Sequence, residues 1–426
     1  MPKICKKTTI AVVGLGYVGL PLAILAAKSG ITVYGLDKDS EKVKMLQKKK
    51  NYLAEASLNC DLKKVIDEKN LIPTTNFSIL KKCQAILICL PTPVYKNLKP
   101  DLRILKNAAG KIGPYLKKGS LIINESTVAI GMTRKVLGEI LEKKSGLKMG
   151  QDFYLACSPE RVDPGTNNKT ENIAKLIGGI NAQSSQRAYQ IYQKFIKAQL
   201  EIVASPEIAE AAKMLENSYR ALNIALVNEL ALLCEKINLD VTEVIKAAST
   251  KWSFQAHWPS LGTGGHCIPV DPHYLTDLAR GKGIKMESLE AGMLTNHQMP
   301  KRFAAKIMQA YQKGDRILIY GLAYKKNIKD LRESPSLAVT SALAKKHIPF
   351  QVYDPFYSNE EIRALGFTPG QIKKGAYDFV IIAADHDNLA KDASRIIDKN
   401  TIIFDGKNYF QKKVGKKVIG VGRTLD

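Results

Sequence analysis

The sequence predicts an α/β protein: two doubly wound domains joined by a long central helix and a helical middle domain. Three observations carry this expectation. A β-branched run opens into a glycine-spaced turn, Gly14-Leu15-Gly16-Tyr17-Val18-Gly19, and a second strand-like run ending in an acid follows it. Strand-sized apolar runs then alternate with helical stretches on both sides of a middle segment. In between, a periodic segment from Ser205 to about Ile237 is too long for a strand-to-strand crossover and reads as a spine. The expected domains are 1–204, 205–312 and 313–426.

The first two strands are expected over Thr8–Val13 and Ile31–Leu36, with a helix between them that runs to about Ser29 and ends at Gly30. Gly14, Gly16 and Gly19 fit a tight turn and the approach of a pyrophosphate to a helix N-terminus, with Tyr17 and Val18 in the same turn. Asp37, at the end of the second strand, can accept hydrogen bonds from ribose hydroxyls and repel a 2′-phosphate. The unit therefore predicts a bound dinucleotide, NAD before NADP, although Lys38 weakens that preference.

Three further strands, Ala85–Leu90, Ser120–Ile123 and Tyr154–Cys157, lead into polar loops carrying Thr92, Thr127 and Glu160. In a parallel sheet ligands sit beyond the C-terminal strand ends, so these loops form a candidate site. Taken singly, Thr127 could equally be a capping hydroxyl and Glu160 an exposed charge.

The start signal Ser205-Pro206-Glu207 opens the spine, which places Leu215, Tyr219, Leu222, Leu226 and Leu230 on one apolar stripe. Lys213 and Asn217, four residues apart, share a face that could simply be solvated. A helix over Val241–Ala248 precedes a loop holding Trp252, Phe254, His257 and Trp258, where the tryptophans suit a pocket wall or a core. The loop continues into Gly262–Pro272, GTGGHCIPVDP. There Asp271 is suited to an N-cap and Pro272 to a first helical turn, so the Cys267 thiol lies near a helix's positive end, which favours thiolate.

Beyond two more helical stretches, strands are expected over Arg316–Tyr320, Gln351–Asp354, Phe379–Ala383 and Ile402–Phe404. The loops after the first of these carry Lys325 and Arg332, groups suited to a diphosphate or to plain surface charge. No internal repeat stands out.

The chain has 426 residues and a net charge of +24, mostly from scattered lysine. Basic-aromatic stretches of the kind that grip nucleic acid are absent, so the charge reads as a solvated surface suited to anionic small ligands. The seven cysteines form no C-x-x-C pair, which argues against a zinc site or a disulfide framework and fits a reducing, cytoplasmic setting. The apolar run after Lys6-Lys7 resembles a leader or anchor, but its glycine spacing marks it as a buried strand and helix; no other run suits a bilayer. No metal site, nucleic-acid partner or membrane partner is expected.

With these pieces placed, the sequence resembles the nucleotide-sugar dehydrogenase family over nearly its whole length. GLGYVGLP, the PTP loop, NESTV, SPERVDPG, AAKMLENSYRALNIALVNEL, GTGGHCIPVDP and KDLRESPS occur in the family's order. GGHCIPVDP and SPERVDPG look most like members acting on UDP-N-acetylhexosamines. Val270 stands where UDP-glucose enzymes usually carry lysine.

The resemblance implies a double oxidation of a sugar C6 alcohol to a carboxylate with two NAD. It makes Cys267 the nucleophile, Glu160 a general base, and Thr127 and Asp271 holders of the catalytic water. Lys213 and Asn217 become donors to the developing alkoxide. It assigns Asp37, Thr92, Thr127 and Arg332 to the cofactor. Glu160, Arg161, Val162, Lys213, Asn217, residues from Trp258 through Gly262 to Gly264, Tyr324, Lys325 and Lys407 go to the UDP-sugar. Lys407 lies in DGK where the family has DGR, so a bidentate phosphate contact is lost there. A homodimer paired through the central helix is also implied. UDP-GlcNAc is the first expectation, with UDP-ManNAc, UDP-GalNAc and UDP-glucose as alternatives. A single-step hydroxyacid or 6-phosphogluconate-type dehydrogenase and a non-catalytic nucleotide binder are the remoter readings.

Overall fold

A computed structural model describes residues 7–53, 57–95, 99–162, 170–265 and 267–426. Cys5, Lys6, residues 163–165 of the SPERVDPG run and His266 lie outside them. The chain divides into two compact units, Met1–Glu216 with His273–Gly281, and Asn217–Pro272 with Lys282–Asp426.

The first unit contains strands β1 (Thr9–Val13), β2 (Thr32–Leu36), β3 (Leu71–Thr74), β4 (Ala85–Ile88), β5 (Leu121–Asn124), β6 (Tyr154–Cys157), β7 (Lys175–Gly179) and β8 (Leu200–Val203). They form one sheet in the order β3-β2-β1-β4-β5-β6-β7-β8, with every neighbouring pair parallel except β6 and β7. Helices α1 (Gly19–Lys28), α2 (Ser40–Gln47), α3 (Leu58–Asp67), α4 (Arg103–Ile112), α5 (Glu139–Ser145) and α6 (Ala182–Tyr192) cover its faces. The strand alternation sorts the core: Ile10, Val12, Leu87 and Ile123 enter one apolar cluster, while Ala11, Val13, Ile86 and Ile122 enter the other. The order reverses between β1 and β4, so the switch point lies where the glycine turn leaves β1.

Helix α7 (Pro206–Ile237) spans the predicted spine. Of the predicted stripe, Leu222 and Leu230 are half-buried, with Leu230 packed against the core. Leu215 is 65% exposed and Leu226 63%, with Tyr219, Leu233 and Ile237 also exposed. The buried face consists of Met214, Ser218, Ala221, Ala225, Asn228, Ala231 and Cys234. Most of these are small, which lets neighbouring elements approach closely.

The second unit continues with α8 (Val241–Ala248), α9 (Asp271–Arg280), α10 (Glu287–Ala310), α11 (Pro335–Lys345), α12 (Asn359–Ala364) and α13 (Leu389–Ile396). Of α9, the residues from His273 onward belong to the first unit. Its strands are β9 (Ile317–Tyr320), β10 (Gln351–Tyr353), β11 (Phe379–Ile382), β12 (Ile402–Asp405), β13 (Lys417–Gly420) and β14 (Thr424–Leu425). They form a sheet in the order β10-β9-β11-β12-β13-β14, antiparallel only at β13–β14. Ile317, Ile319 and Ile381 pack on one face, and Leu318, Tyr320 and Ile382 on the other.

This unit repeats a device of the first. In the first unit, Gly14 has φ 94° and the next amide, Leu15 N, donates to Asp37 Oδ2 at the end of β2, at 2.9 Å. In the second, Gly321 has φ 91° and Leu322 N donates to Asp354 Oδ2 beyond β10, at 2.7 Å. The repeat was invisible in the sequence because the second copy lacks the G-x-G-x-x-G spacing. Neither tryptophan is core: Trp252 is 94% exposed and Trp258 is also exposed. Among the described residues, no helix is long and apolar enough to cross a membrane.

Candidate active site

In the first unit the glycine turn is fixed by contacts that exclude side chains. A Cβ on Gly14 would lie 2.5 Å from the Cys89 carbonyl oxygen, and one on Gly19 would lie 1.8 Å from the Gly14 carbonyl oxygen. A Cβ on Gly16 would meet nothing within 4 Å, so that side of the turn is open. Helix α1 starts beside it with Val18 at the N-cap, no side-chain cap and no acid in the first turn. Its positive end therefore suits a phosphate. Asp37 is half-buried, holding Leu15 N through Oδ2 and Asp39 N through Oδ1. The residues fit a dinucleotide: a glycine turn after β1, an uncapped helix end and a half-buried acid after β2 that holds the turn's Leu15 amide.

The loops beyond β4, β5 and β6 are knitted together. Thr92 donates its hydroxyl to the Thr127 carbonyl, and Tyr274 donates its own to the Thr92 carbonyl. Glu160 N donates to the Glu125 carbonyl at 3.1 Å. The Glu160 side chain is buried, not an exposed charge. Its Oε1 accepts from Arg161 N at 2.7 Å and Val162 N at 2.8 Å, and its Oε2 lies 3.4 Å from Lys175 Nζ. Burial works to raise this carboxyl, but the Lys175 charge and the two amides outweigh it and hold it below the usual range. Arg161 turns its guanidinium to Glu216 and to the Ala174 carbonyl.

Lys213 on α7 is 7% exposed, and no hydrogen bond or ion pair among the described residues engages its ammonium. A buried amino group that no described residue engages suits an anionic or carbonyl oxygen.

In the second unit, Cys267 is exposed at the end of the glycine loop. Its carbonyl accepts from Val270 N at 3.2 Å and Asp271 N at 2.9 Å, closing a turn directly onto α9. Asp271 is thus the first residue of α9, one step inside the N-cap position expected for it. Its buried Oδ2 accepts from Asn217 Nδ2 on α7. Gly262 and Gly265 have φ of 138° and 81°. A Cβ on Gly264 would lie 2.5 Å from Tyr324 Cβ, and one on Gly265 would lie 2.6 Å from the Tyr324 ring, so Tyr324 roofs the loop. Gly265 N donates to the Arg332 carbonyl at 3.0 Å.

The Arg332 guanidinium is gripped by Asp330, with Nη2 to Oδ2 at 2.6 Å, and lies near enough to Cys267 to interact with a thiolate there. Lys325 and Lys407 are half-buried. Burial pulls the Lys407 ammonium down, against Asp385 and Asp405.

The NAD-binding domain of the UDP-glucose/GDP-mannose dehydrogenase family matches residues 8–196, its central domain residues 207–298, and its UDP-binding domain residues 318–412. The chain belongs to this family. It is an NAD-dependent nucleotide-sugar dehydrogenase, an oxidoreductase. It is 37% identical over 393 residues to a UDP-N-acetyl-D-glucosamine 6-dehydrogenase from Pseudomonas aeruginosa, covering 90% of this chain and 92% of that protein. It is 34% identical over 426 residues to a UDP-N-acetyl-D-mannosamine dehydrogenase from Pyrococcus horikoshii, covering 97% and 99%. The solved structure of the UDP-D-ManNAc dehydrogenase from Pyrococcus horikoshii superposes with a TM-score of 0.88 at 32% identity, over 98% of this chain and 99% of that one.

For a member of this dehydrogenase family, the sequence reading left out Glu125, Lys175, Tyr192 and Glu210, all buried. Glu125 stood in the quoted NESTV run, yet only its neighbour Thr127 was singled out. Lys175 opens a strand that the reading did not separate, and a lysine gives no sequence sign that it is buried.

Proposed function

We propose that the enzyme oxidises the C6 hydroxyl of a UDP-N-acetylhexosamine to the uronic acid in two steps, with UDP-N-acetyl-D-glucosamine as first substrate. The observation that carries this reading is the Cys267 turn: an exposed thiol one helical turn before buried Asp271, which Asn217 anchors, with the Arg332 guanidinium nearby. An aldehyde cannot release hydride directly to give an acid; a covalent adduct must first make its carbon tetrahedral. NAD, when bound, accepts a hydride in each oxidation. Asp37 orients its ribose, with Thr92, Thr127 and Arg332 as further contacts.

In this reading Lys213 and Asn217 donate to the alkoxide oxygen as the first oxidation proceeds. The Cys267 thiolate then adds to the aldehyde carbon, giving a thiohemiacetal whose oxidation leaves a thioester. Thr127 and Asp271 hold a water against that thioester and Glu160 takes its proton. Tyr324, Lys325, Lys407 and the loop from Trp258 to Gly264 grip the nucleotide sugar, Lys407 as a point charge on phosphate.

The identity to UDP-N-acetylglucosamine dehydrogenases, 37% and 36% for two of them, supports that sugar as first choice. The superposition on the UDP-D-ManNAc enzyme supports UDP-N-acetylmannosamine as second. NADH absorbance with a panel of the two N-acetylated sugars, UDP-GalNAc and UDP-glucose decides between them. Turnover of UDP-glucose alone would refute the N-acetylhexosamine assignment. The product's outlet is surface-polysaccharide or glycan synthesis in the cytoplasm, and the working form is a homodimer in which exposed Leu215, Tyr219, Leu226, Leu233 and Ile237 of α7 pair with a second copy.

A further inference from the structure

The first unit buries two carboxylates, an ammonium and a phenol in one cluster. Lys175, the first residue of β7, is 2% exposed, with Nζ 2.7 Å from Glu125 Oε2 and 3.4 Å from Glu160 Oε2. Tyr192 on α6 donates its hydroxyl to Glu125 Oε1, and its ring centroid is 5.3 Å from the Lys175 ammonium. The other titratable groups facing the cluster are Cys89, beyond β4, and Cys157, on β6; burial pushes both thiols up and keeps them neutral. The Arg161 guanidinium points away, to Glu216.

A buried ion pair is no general aid to stability, since apolar replacements of both partners are often neutral or better. Two carboxylates on one lysine need a further reason, and the geometry supplies one. Glu160 has both oxygens engaged, one by two amides and one by Lys175, so its plane is fixed. Glu125, pinned in turn by Tyr192, holds Lys175 at its post.

We propose that Lys175 is a positioning residue for Glu160, fixing its carboxylate in place and in the ionised form for the hydrolytic step, with Glu125 as the anchor of Lys175. The proposal rests on the reading of Glu160 as general base. In that step a water oxygen bonds to the thioester carbon and one of its protons passes to Glu160. The C–S bond then breaks, its electron pair returning to the Cys267 sulfur, and Glu160 later releases the proton to solvent. Nothing is oxidised or reduced. Oε2, with the longer contact to Lys175, is the oxygen freer to take the proton. Burial drives the Glu125 carboxyl up to about 7 against the pull of Lys175, while the same lysine keeps Glu160 low. Lys175 thus pulls both acids down, prevailing at Glu160, while burial prevails at Glu125.

The test is the pH profile of UDP-uronate formation, with whichever N-acetylated UDP-sugar the panel selects, for wild type, Lys175→Met, Lys175→Arg, Glu160→Gln and the double variant Glu125→Gln/Lys175→Met. A base must be ionised, so activity falls as pH drops through its pKa. Removing the neighbouring cation raises that pKa and moves the acid limb upward by about one to three pH units. The limb should move in Lys175→Met and in the double variant, which leaves no unpaired Glu125 charge behind, and should return towards wild type in Lys175→Arg. NAD affinity, measured by direct titration, should change less than about threefold, under 1 kcal/mol. An unmoved limb in the double variant, together with an inactive Glu160→Gln enzyme, would overturn the role of Lys175 alone. Wild-type acid formation by Glu160→Gln would overturn the reading of Glu160, and this proposal with it.

Discussion

Asp37 and Asp354 are matched residues with different fates. Both accept the amide of the leucine that follows a left-handed glycine. Asp354 is 1% exposed and lies 3.3 Å from His386 Nε2. Asn327 N donates to His386 Nδ1 at 2.9 Å, which leaves Nε2 to donate to the carboxylate. Asp354 is therefore sealed inside its unit, whereas Asp37 stays half-exposed. Asp37→Ala should weaken NAD binding by about 1.5–3 kcal/mol, the worth of a charge-assisted hydrogen bond, and narrow the preference over NADP. Isothermal titration with both cofactors checks this; an unchanged ratio would contradict it. Asp37 was legible in the sequence because glycine spacing and the acid after the second strand are local constraints. The closure of Asp354 by His386 was not, because the two residues are 32 positions apart and meet only in the fold.

Elements that depend on pattern alone were legible unevenly. The helix over Val241–Ala248 was placed correctly, because an apolar face and an N-capping Asp240 bound it on both sides. The stripe of α7 was read as one face without a partner, since periodicity reports that a helix has an apolar stripe and not which neighbour covers it; Leu215, Tyr219 and Leu226 are exposed, Leu222 and Leu230 half-buried. Strands β7 and β8 were not separated, for β7 opens with a lysine and β8 contains Glu201. If the exposed stripe pairs with a second copy, Leu226→Glu buries two like charges across a twofold seam and should halve the mass seen by light scattering. A dimer retained at micromolar concentration would show that another surface is used.

Near its start α7 also carries Glu210, whose Oε2 accepts from Gly131 N at 2.5 Å and Oε1 from Thr133 N at 2.8 Å. Burial lifts this carboxyl from its ordinary 4.5 to about 7. Between those values the folded state keeps a proton that the unfolded chain has lost. The stability from this group is complete below about pH 4.5 and disappears as pH rises through about 7, an effect on the order of 1–3 kcal/mol. Glu210→Gln should flatten the fall in Tm between pH 5 and pH 8, leaving the parallel contribution of Glu125. A slope equal to wild type would contradict the assignment.

At the scale of the whole molecule, two sheets of the same winding each offer a strand-end turn, one matched by an NAD-binding domain and one by a UDP-binding domain. The doubly wound class was readable in the strand–helix alternation, and the turns at Gly14 and Gly265 in glycines whose positive φ a side chain would strain. The buried Glu125–Lys175–Glu160 cluster was not, because long-range charge pairing leaves no local trace. The net charge of +24 fits a protein whose ligands, dinucleotide and nucleotide sugar, are both anions. The claim on which the account turns is that Cys267 carries the second oxidation. The direct measurement is the number of NADH formed per nucleotide sugar consumed, with the product analysed for uronic acid, in wild type and in Cys267→Ser. The account predicts two NADH per uronic acid in wild type. In the variant it predicts NAD binding unchanged and acid formation lower by at least about a thousandfold, equivalent to some 4 kcal/mol of barrier. Uronic acid formed by Cys267→Ser at the wild-type rate would contradict it.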